Sequence, residues 1–389
     1  MKPEKMIIVG VLILLLSSAG FLSGETWVEK RLTDNSGSSV YPTVAASGSN
    51  IYVVWQDDTP GNNEVYFKRS TNGGAAWQNS KRLTYNSGSS EAPVIAVSGL
   101  NIYVVWFDDT PGNFEIYFKK SANGGAAWQP SKRLTQTAGG SYKPVIAASG
   151  SNVYVLWHDD TPGNPELYLT ISTDGGAAWQ AAQKLTNNAG SSYRPDVAVS
   201  GSNIYVAWED SPPADNFEIY FMKSADGGAS WQTAKRLTHN AEASYEAAIA
   251  VSGPNVYIGW YDLKAGNAEI YFLKSPNRGV SWKALNRLTY NNGSSCCPAI
   301  AASGSNIHVV WYDSTPGNCE IFLATSLNGG TSWKTAERLT NNSGTSWNPA
   351  VAVSGSNIYV VWQDLTPGNN EIYLTKSTGL EPVARRTGF

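Results

Sequence analysis

The chain has little charge, little histidine and little cysteine, and each shortage removes a class of function. Only 15% of its 389 residues are charged and the formal net charge is −3. It therefore lacks the basic surplus that holds nucleic acid through its phosphates. There are three histidines and no Ser/His/Asp signature from which a hydrolase triad could be read, and His158 by itself reads as a surface residue. No stretch gathers enough carboxylates to suggest calcium ligation, so neither metal nor cofactor is expected. What the chain does carry is aromatic bulk, with 15 Trp and 20 Tyr in a 42% hydrophobic composition, which is that of a globular protein.

One nine-residue stretch organises the rest. Ser121 to Gln129 reads SANGGAAWQ, and near-copies start at Ser70, Ser172, Ser224, Ser275 and Ser326. Their spacing of about 51 residues is in the range of propeller repeats and overrides the two or three domains that length alone suggests. Each copy has a local physical reading. An Asn or Asp side chain accepts hydrogen bonds from backbone just ahead, and the second Gly supplies a positive φ, so the segment is a tight turn. The Trp three residues on buries against the sheet and pins that turn.

The pattern Ser-x-Asp/Asn-x-Gly-x-x-Trp resembles the Asp box, or BNR repeat, of the sialidase-like β-propeller superfamily. Kelch repeats have a similar period and a Gly doublet, but they place an aromatic and then a Trp much further along. The resemblance implies an all-β propeller and puts these turns at its outer edge, away from any active site. A motif repeated around a ring marks scaffold.

The remainder of a repeat, Pro93 to Ser121, holds three β-rich runs broken by Ser98-Gly99 and Pro111-Gly112. With the run after the turn Trp, each repeat supplies a four-stranded antiparallel blade. The second-strand Trp occurs seven times, from Trp55 to Trp362, and the post-turn Trp seven times, from Trp27 to Trp333, against six complete turns. The expected fold is therefore a seven-bladed β-propeller over 25–377. Its last blade is completed by the N-terminal strand Trp27 to Thr33, which would hide two strand edges. The small residues of each first strand, such as Val44-Ala45-Ala46, suit a crowded central channel.

Before the propeller stand Lys2 and Lys5, the apolar run Met6 to Leu16 and a small-residue stretch to Gly24. Residues 1–24 read as a secretory signal peptide, with an uncleaved anchor as the alternative. The apolar run is short for the ~20 residues that cross a bilayer, and no cysteine is placed for lipidation. A secreted or cell-surface monomer follows, touching a membrane only if the leader is retained. Residues 378–389 read as a mobile tail.

Function should lie where the repeats differ on one surface. An Asp two residues after each second-strand Trp and a Glu opening each third strand occur seven times, from Asp57 to Asp364 and from Glu64 to Glu371. Catalysis needs one asymmetric pair of carboxylates, so these read as turn acceptors and blade ties. Three columns diverge. One, just before the first strand, reads Tyr41, Ala92, Lys143, Arg194, Glu246, Cys297 and Asn348. The position before it includes Glu91, Tyr142, Tyr193, Tyr245, Cys296 and Trp347, and the position after the second-strand Trp includes His158 and Glu209. All three fall on the face opposite the repeated turns. The expected ligand site is Tyr142, Lys143, His158, Tyr193, Arg194, Glu209, Tyr245, Glu246 and Trp347. Neutral drift of exposed loop residues is the bland alternative. In the secreted protein Cys319 is expected to pair with Cys297 or Cys296, or Cys296 with Cys297.

Sialidases use three arginines to hold a carboxylate, a Tyr/Glu nucleophile pair and an Asp acid/base. This sequence departs from that pattern. Its repeated arginines, such as Arg82 and Arg236, fall in the Arg-Leu-Thr strand, and only Arg194 is on the divergent face. Two readings remain: a non-catalytic propeller recognising glycan or an extracellular protein, or a divergent glycoside hydrolase acting on acidic glycans. The second would draw its carboxylates from Glu91, Glu209 and Glu246, with Tyr245 beside Glu246.

Overall fold

The computed structural model describes residues 26–212 and 216–378; the leader assigned to residues 1–24 and the tail beyond Thr378 lie outside the described residues. Among the described residues there is no helix; the strands form seven four-stranded antiparallel sheets, a seven-bladed β-propeller. Blade 3 shows the pattern: Ser141–Ser149, Asn152–Asp159, Glu166–Ser172 and Gln183–Lys184, paired in that order. The first strands of neighbouring blades lie against one another around the axis, and the fourth strands form the rim.

Blade 7 is closed as expected. The strand Thr26–Arg31 pairs antiparallel with Glu371–Thr378, from Thr26 opposite Thr378 to Arg31 opposite Tyr373. Thr378 thus belongs to the last strand rather than to the tail.

Alternation along the strands builds the core. The second strand is covered on both faces by neighbouring blades, so it reads as a nearly continuous apolar run such as Ile102 to Val105. Its Trp is at most 1% exposed in all seven blades and stacks on a third-strand ring, as Trp106 does on Tyr117 at 5.8 Å.

The repeated polar residues hold the blades together. Asp57 Oδ2 accepts from Ser39 Oγ at 2.6 Å and Asn35 Nδ2 at 2.8 Å, while Oδ1 accepts from the Thr59 N–H at 3.0 Å. Burial opposes its charge, and these hydrogen bonds outweigh it and lower its pKa. Fully buried Glu64 accepts from Arg82 Nη2 at 2.5 Å and the Asn86 N–H at 3.1 Å. Equivalent pairs commit Arg31, Arg133, Arg236, Arg287 and Arg338 to Glu371, Glu115, Glu218, Glu269 and Glu320.

At the other end of six of the seven blades sits the repeated turn. Ser121 Oγ accepts from the Gly125 N–H at 2.9 Å and Asn123 Oδ1 from the Ala127 N–H at 2.8 Å. Trp128 then meets Phe67 of the preceding blade edge-on at 5.0 Å. The turn is a clamp between blades.

Candidate functional site

Every blade begins with a bulge. The register between first and second strands slips after Tyr142 in blade 3 and at the equivalent place in the other six. The residue inside the bulge has a left-handed backbone, with φ of 53° at Tyr41, 42° at Ala92, 47° at Lys143, 42° at Arg194, 53° at Glu246, 54° at Cys297 and 50° at Asn348. That conformation costs an L-residue about 1–2 kcal/mol, yet none of the seven is glycine. A bulge re-aims a side chain. Here it acts on the most divergent column of the sequence and brings it to the mouth of the central channel.

Two cavities of about 510 Å³ each meet at Arg194. One is the channel itself, walled by Pro42, Pro93, Pro195, Pro298 and Pro349, by small residues of the first strands, and by Asp196. The other lies over blades 3 to 5 and is lined by Tyr142, Lys143, His158, Tyr193, Arg194, Glu209, Phe217 and Tyr245. Seven of the nine expected ligand residues therefore share one wall. Glu246 lines the adjoining channel, and half-buried Trp347 stands apart on blade 7, paired in register with Gln363. Both volumes suit a small ligand (~300–1,000 Å³).

The rings of this cavity are the middle of a longer continuous series. Phe107 meets Phe114 at 5.0 Å and Tyr142 at 6.0 Å; Tyr142 stacks on His158 at 5.6 Å; His158 meets Tyr193 edge-on at 5.2 Å. Phe217 bridges Tyr193 at 5.9 Å and Tyr245 at 5.4 Å, and Tyr245 lies 5.4 Å from Tyr261. Contrary to the surface reading from sequence, His158 is 8% exposed. Burial, with Arg194 and Lys143 nearby, pushes its pKa down to about 4, so it is uncharged at neutral pH.

Charge is set among these rings. Arg194 Nη1 donates to Glu209 Oε1 at 2.5 Å, and Glu209 Oε2 accepts the Glu246 N–H of the next blade at 3.0 Å. Burial raises the Glu209 pKa, and Arg194 limits the rise. Half of the Arg194 side chain remains exposed to the cavity. Lys143 reaches toward Tyr41 of blade 1, with Nζ 5.0 Å from the ring centre; burial and Arg194 lower its pKa, and Glu91 and Glu246 oppose them. Half-buried Glu91 accepts from Ser89 Oγ at 2.8 Å.

The three cysteines are free, so the expected bond from Cys319 to Cys297 or Cys296 is not made, nor is Cys296 joined to Cys297. The bulge turns Cys297 into the channel wall, among Glu246 and Tyr312. Cys319 stays two strands away, before the third strand. Burial raises all three thiol pKa values, Cys296 to about 11. Among the described residues no group of three or more His, Cys, Asp or Glu is placed to hold a metal ion.

The sequence reading missed Phe114 and Phe217, which precede the third-strand Glu where other blades carry Asn63, Pro165, Ala268, Cys319 and Asn370. It also missed Asp196, whose counterparts are Thr43, Val94, Val145, Ala248, Ala299 and Ala350. Both were visible as divergent columns.

No family model matches the chain, and no curated protein matches it in sequence. Solved structures do match in shape. A protein of unknown function from Dyadobacter fermentans aligns with 90% of this chain and 98% of its own, at 13% identity and a TM-score of 0.58. An ulvan lyase of polysaccharide lyase family 25 aligns over 87% and 94%, at 10% identity and 0.63. The Trypanosoma rangeli sialidase aligns with 91% of this chain at 13% identity and 0.56, but the match spans only 59% of the sialidase. The chain has the sialidase-like propeller fold, in a size nearer to that of the ulvan lyase.

Proposed function

We propose that the protein is an extracytoplasmic recognition propeller that binds an acidic glycan in the cavity over blades 3 to 5. One observation carries this reading: half-exposed Arg194 and part-buried Lys143 stand among half-buried Tyr142, Tyr193 and Tyr245 in a single cavity. Aromatic rings cover the apolar face of a sugar, and a guanidinium pairs with a carboxylate or sulfate in bidentate fashion. The sialidases and polysaccharide lyases that share the fold are carbohydrate enzymes by name, which supports a carbohydrate ligand.

A glycoside hydrolase is the weaker reading. Of the three candidate carboxylates Glu209 is spent on Arg194 and the neighbouring backbone, and Glu91 is held by Ser89. The rim arginines are committed to buried glutamates, so they cannot complete a carboxylate-binding triad around Arg194.

A glycan array tests the proposal, comparing the wild type with Arg194→Ala and, as control, exposed Lys235→Ala. Binding of acidic glycans that is lost in the first and kept in the second supports it; equal binding by both variants overturns it. Release of shorter sugars from any bound glycan would make the protein an enzyme.

A further inference from the structure

We infer that the ligand is an internal stretch of an acidic polysaccharide, laid as an extended chain across blades 2 to 5, rather than a terminal sugar. This rests on the glycan reading above and names the form the glycan takes. The cavity accounts for only the middle of the ring series. Beyond it the rings continue to Phe107 and Phe114 on blade 2 and to Tyr261 on blade 5. A chain-end ligand would need only the rings of that cavity, whereas this series runs past it on both sides.

The rings at the two ends are not needed to build a blade. Where blade 2 has Phe114, blades 1 and 7 have Asn63 and Asn370 and fold into the same four strands. Phe107 stands where blades 1 and 7 carry Gln56 and Gln363. Phe114, Tyr142, Tyr193, Phe217, Tyr245 and Tyr261 are each only half-buried, so the edge of the track is presented to solvent. Successive aromatic platforms favour a flexible linear ligand, because each stacked unit adds its own increment. Lys143 and Arg194 sit near the middle, where the charge of one repeating unit would fall.

Two size-graded series test this by calorimetry, oligogalacturonides and heparin-derived oligosaccharides, each from disaccharide to octasaccharide, with 3′-sialyllactose as a chain-end probe. Affinity for at least one series should rise about tenfold or more from disaccharide to hexasaccharide, equivalent to one good contact of about 1.4 kcal/mol. Phe114→Leu and Tyr261→Leu keep apolar volume and remove a ring; each should erase most of that gain while leaving the disaccharide unchanged. Affinity that is independent of length, sialyllactose binding as tightly as the longest oligomer, or length gains untouched by both variants would overturn the inference and leave the anionic site standing. Absence of binding by every probe would overturn both.

Discussion

Glu209 of blade 4 accepts the backbone N–H of Glu246 in blade 5 at 3.0 Å. In blade 1 Gln56 does the same for Ala92 at 2.8 Å, and in blade 7 Gln363 does so for Tyr41 at 2.9 Å. The position is thus an inter-blade tie that an amide fills as well as a carboxylate. What the charge adds in blade 4 is a partner for Arg194.

Glu209→Gln should therefore fold with a stability change within about 1 kcal/mol, since the tie survives and a buried charge is removed. It should also release Arg194 for a ligand and tighten acidic-glycan binding several-fold. Thermal melting and a titration against the tightest glycan check both outcomes. Weaker binding would show that Glu209 holds Arg194 in its binding position.

Asp196 gives a pH test. Burial pushes its carboxyl up to about 6, although the N–H groups of Val197 and Ile249 both bond to it at 2.8 Å. A folded-state pKa above the unfolded ~3.9 means the folded protein binds more protons between those values. Stability contributed by this group is present at pH 4 and is lost as pH rises through 6. Asp196→Thr, which installs the residue of blade 1, should therefore gain on the wild type between pH 4 and pH 7. The gain is on the order of 2–3 kcal/mol, or several degrees of melting temperature. His158 and His308, both depressed to about 4, work in the opposite direction, but they are present in both proteins and cancel. A difference that is flat with pH would show that Asp196 is ionised in the fold at an ordinary pKa.

The repeated turns predict stability without binding. A Cβ on Gly125 would lie 2.5 Å from Phe67 of the preceding blade, at a φ of +87°, whereas one on Gly48, at +60°, meets nothing within 4 Å. Gly48→Ala should cost about 1 kcal/mol for backbone alone, and Gly125→Ala about 2–3 kcal/mol more, because Phe67 must also move. Neither should change glycan affinity in the folded protein, since both sit at the far end of the blade. Equal melting losses would mean that the clamp yields freely.

Repetition decided what could be read from the chain. Blade number, strand order and closure were legible because seven copies of Trp106 or Asp108 average out local ambiguity. The divergent columns stood out for the opposite reason, and the structure gathers them at one end of the propeller. Hidden in the sequence were the consequences of the bulge: a left-handed φ at Cys297 decides which wall its thiol joins, and no spacing reveals that. His158 was misjudged because its burial comes from Tyr142 and Tyr193, rings that enter from two blades. Phe217 shares its column with Asn, Pro, Ala and Cys residues, and a lone aromatic before a strand carries no periodic signal.

Closure itself makes the last prediction. Arg31 Nη2 lies 3.0 Å from Glu371 Oε1, the Ile372 N–H donates to Thr33 Oγ1 at 2.7 Å, and the Asn35 N–H donates to Glu371. Removing residues 26–33 would leave a buried carboxylate without its cation, at a typical cost of about 3–5 kcal/mol. It would also expose the strand Glu371–Thr378 as an open, aggregation-prone edge. The truncated chain should lose its cooperative thermal transition. A synthetic peptide of residues 26–33 should restore it in proportion to peptide concentration, because a ligand of the folded state stabilises by mass action. An unchanged melting curve after truncation would place closure elsewhere in the ring; loss without rescue would mean that the strand must be covalently tethered to find its edge in time.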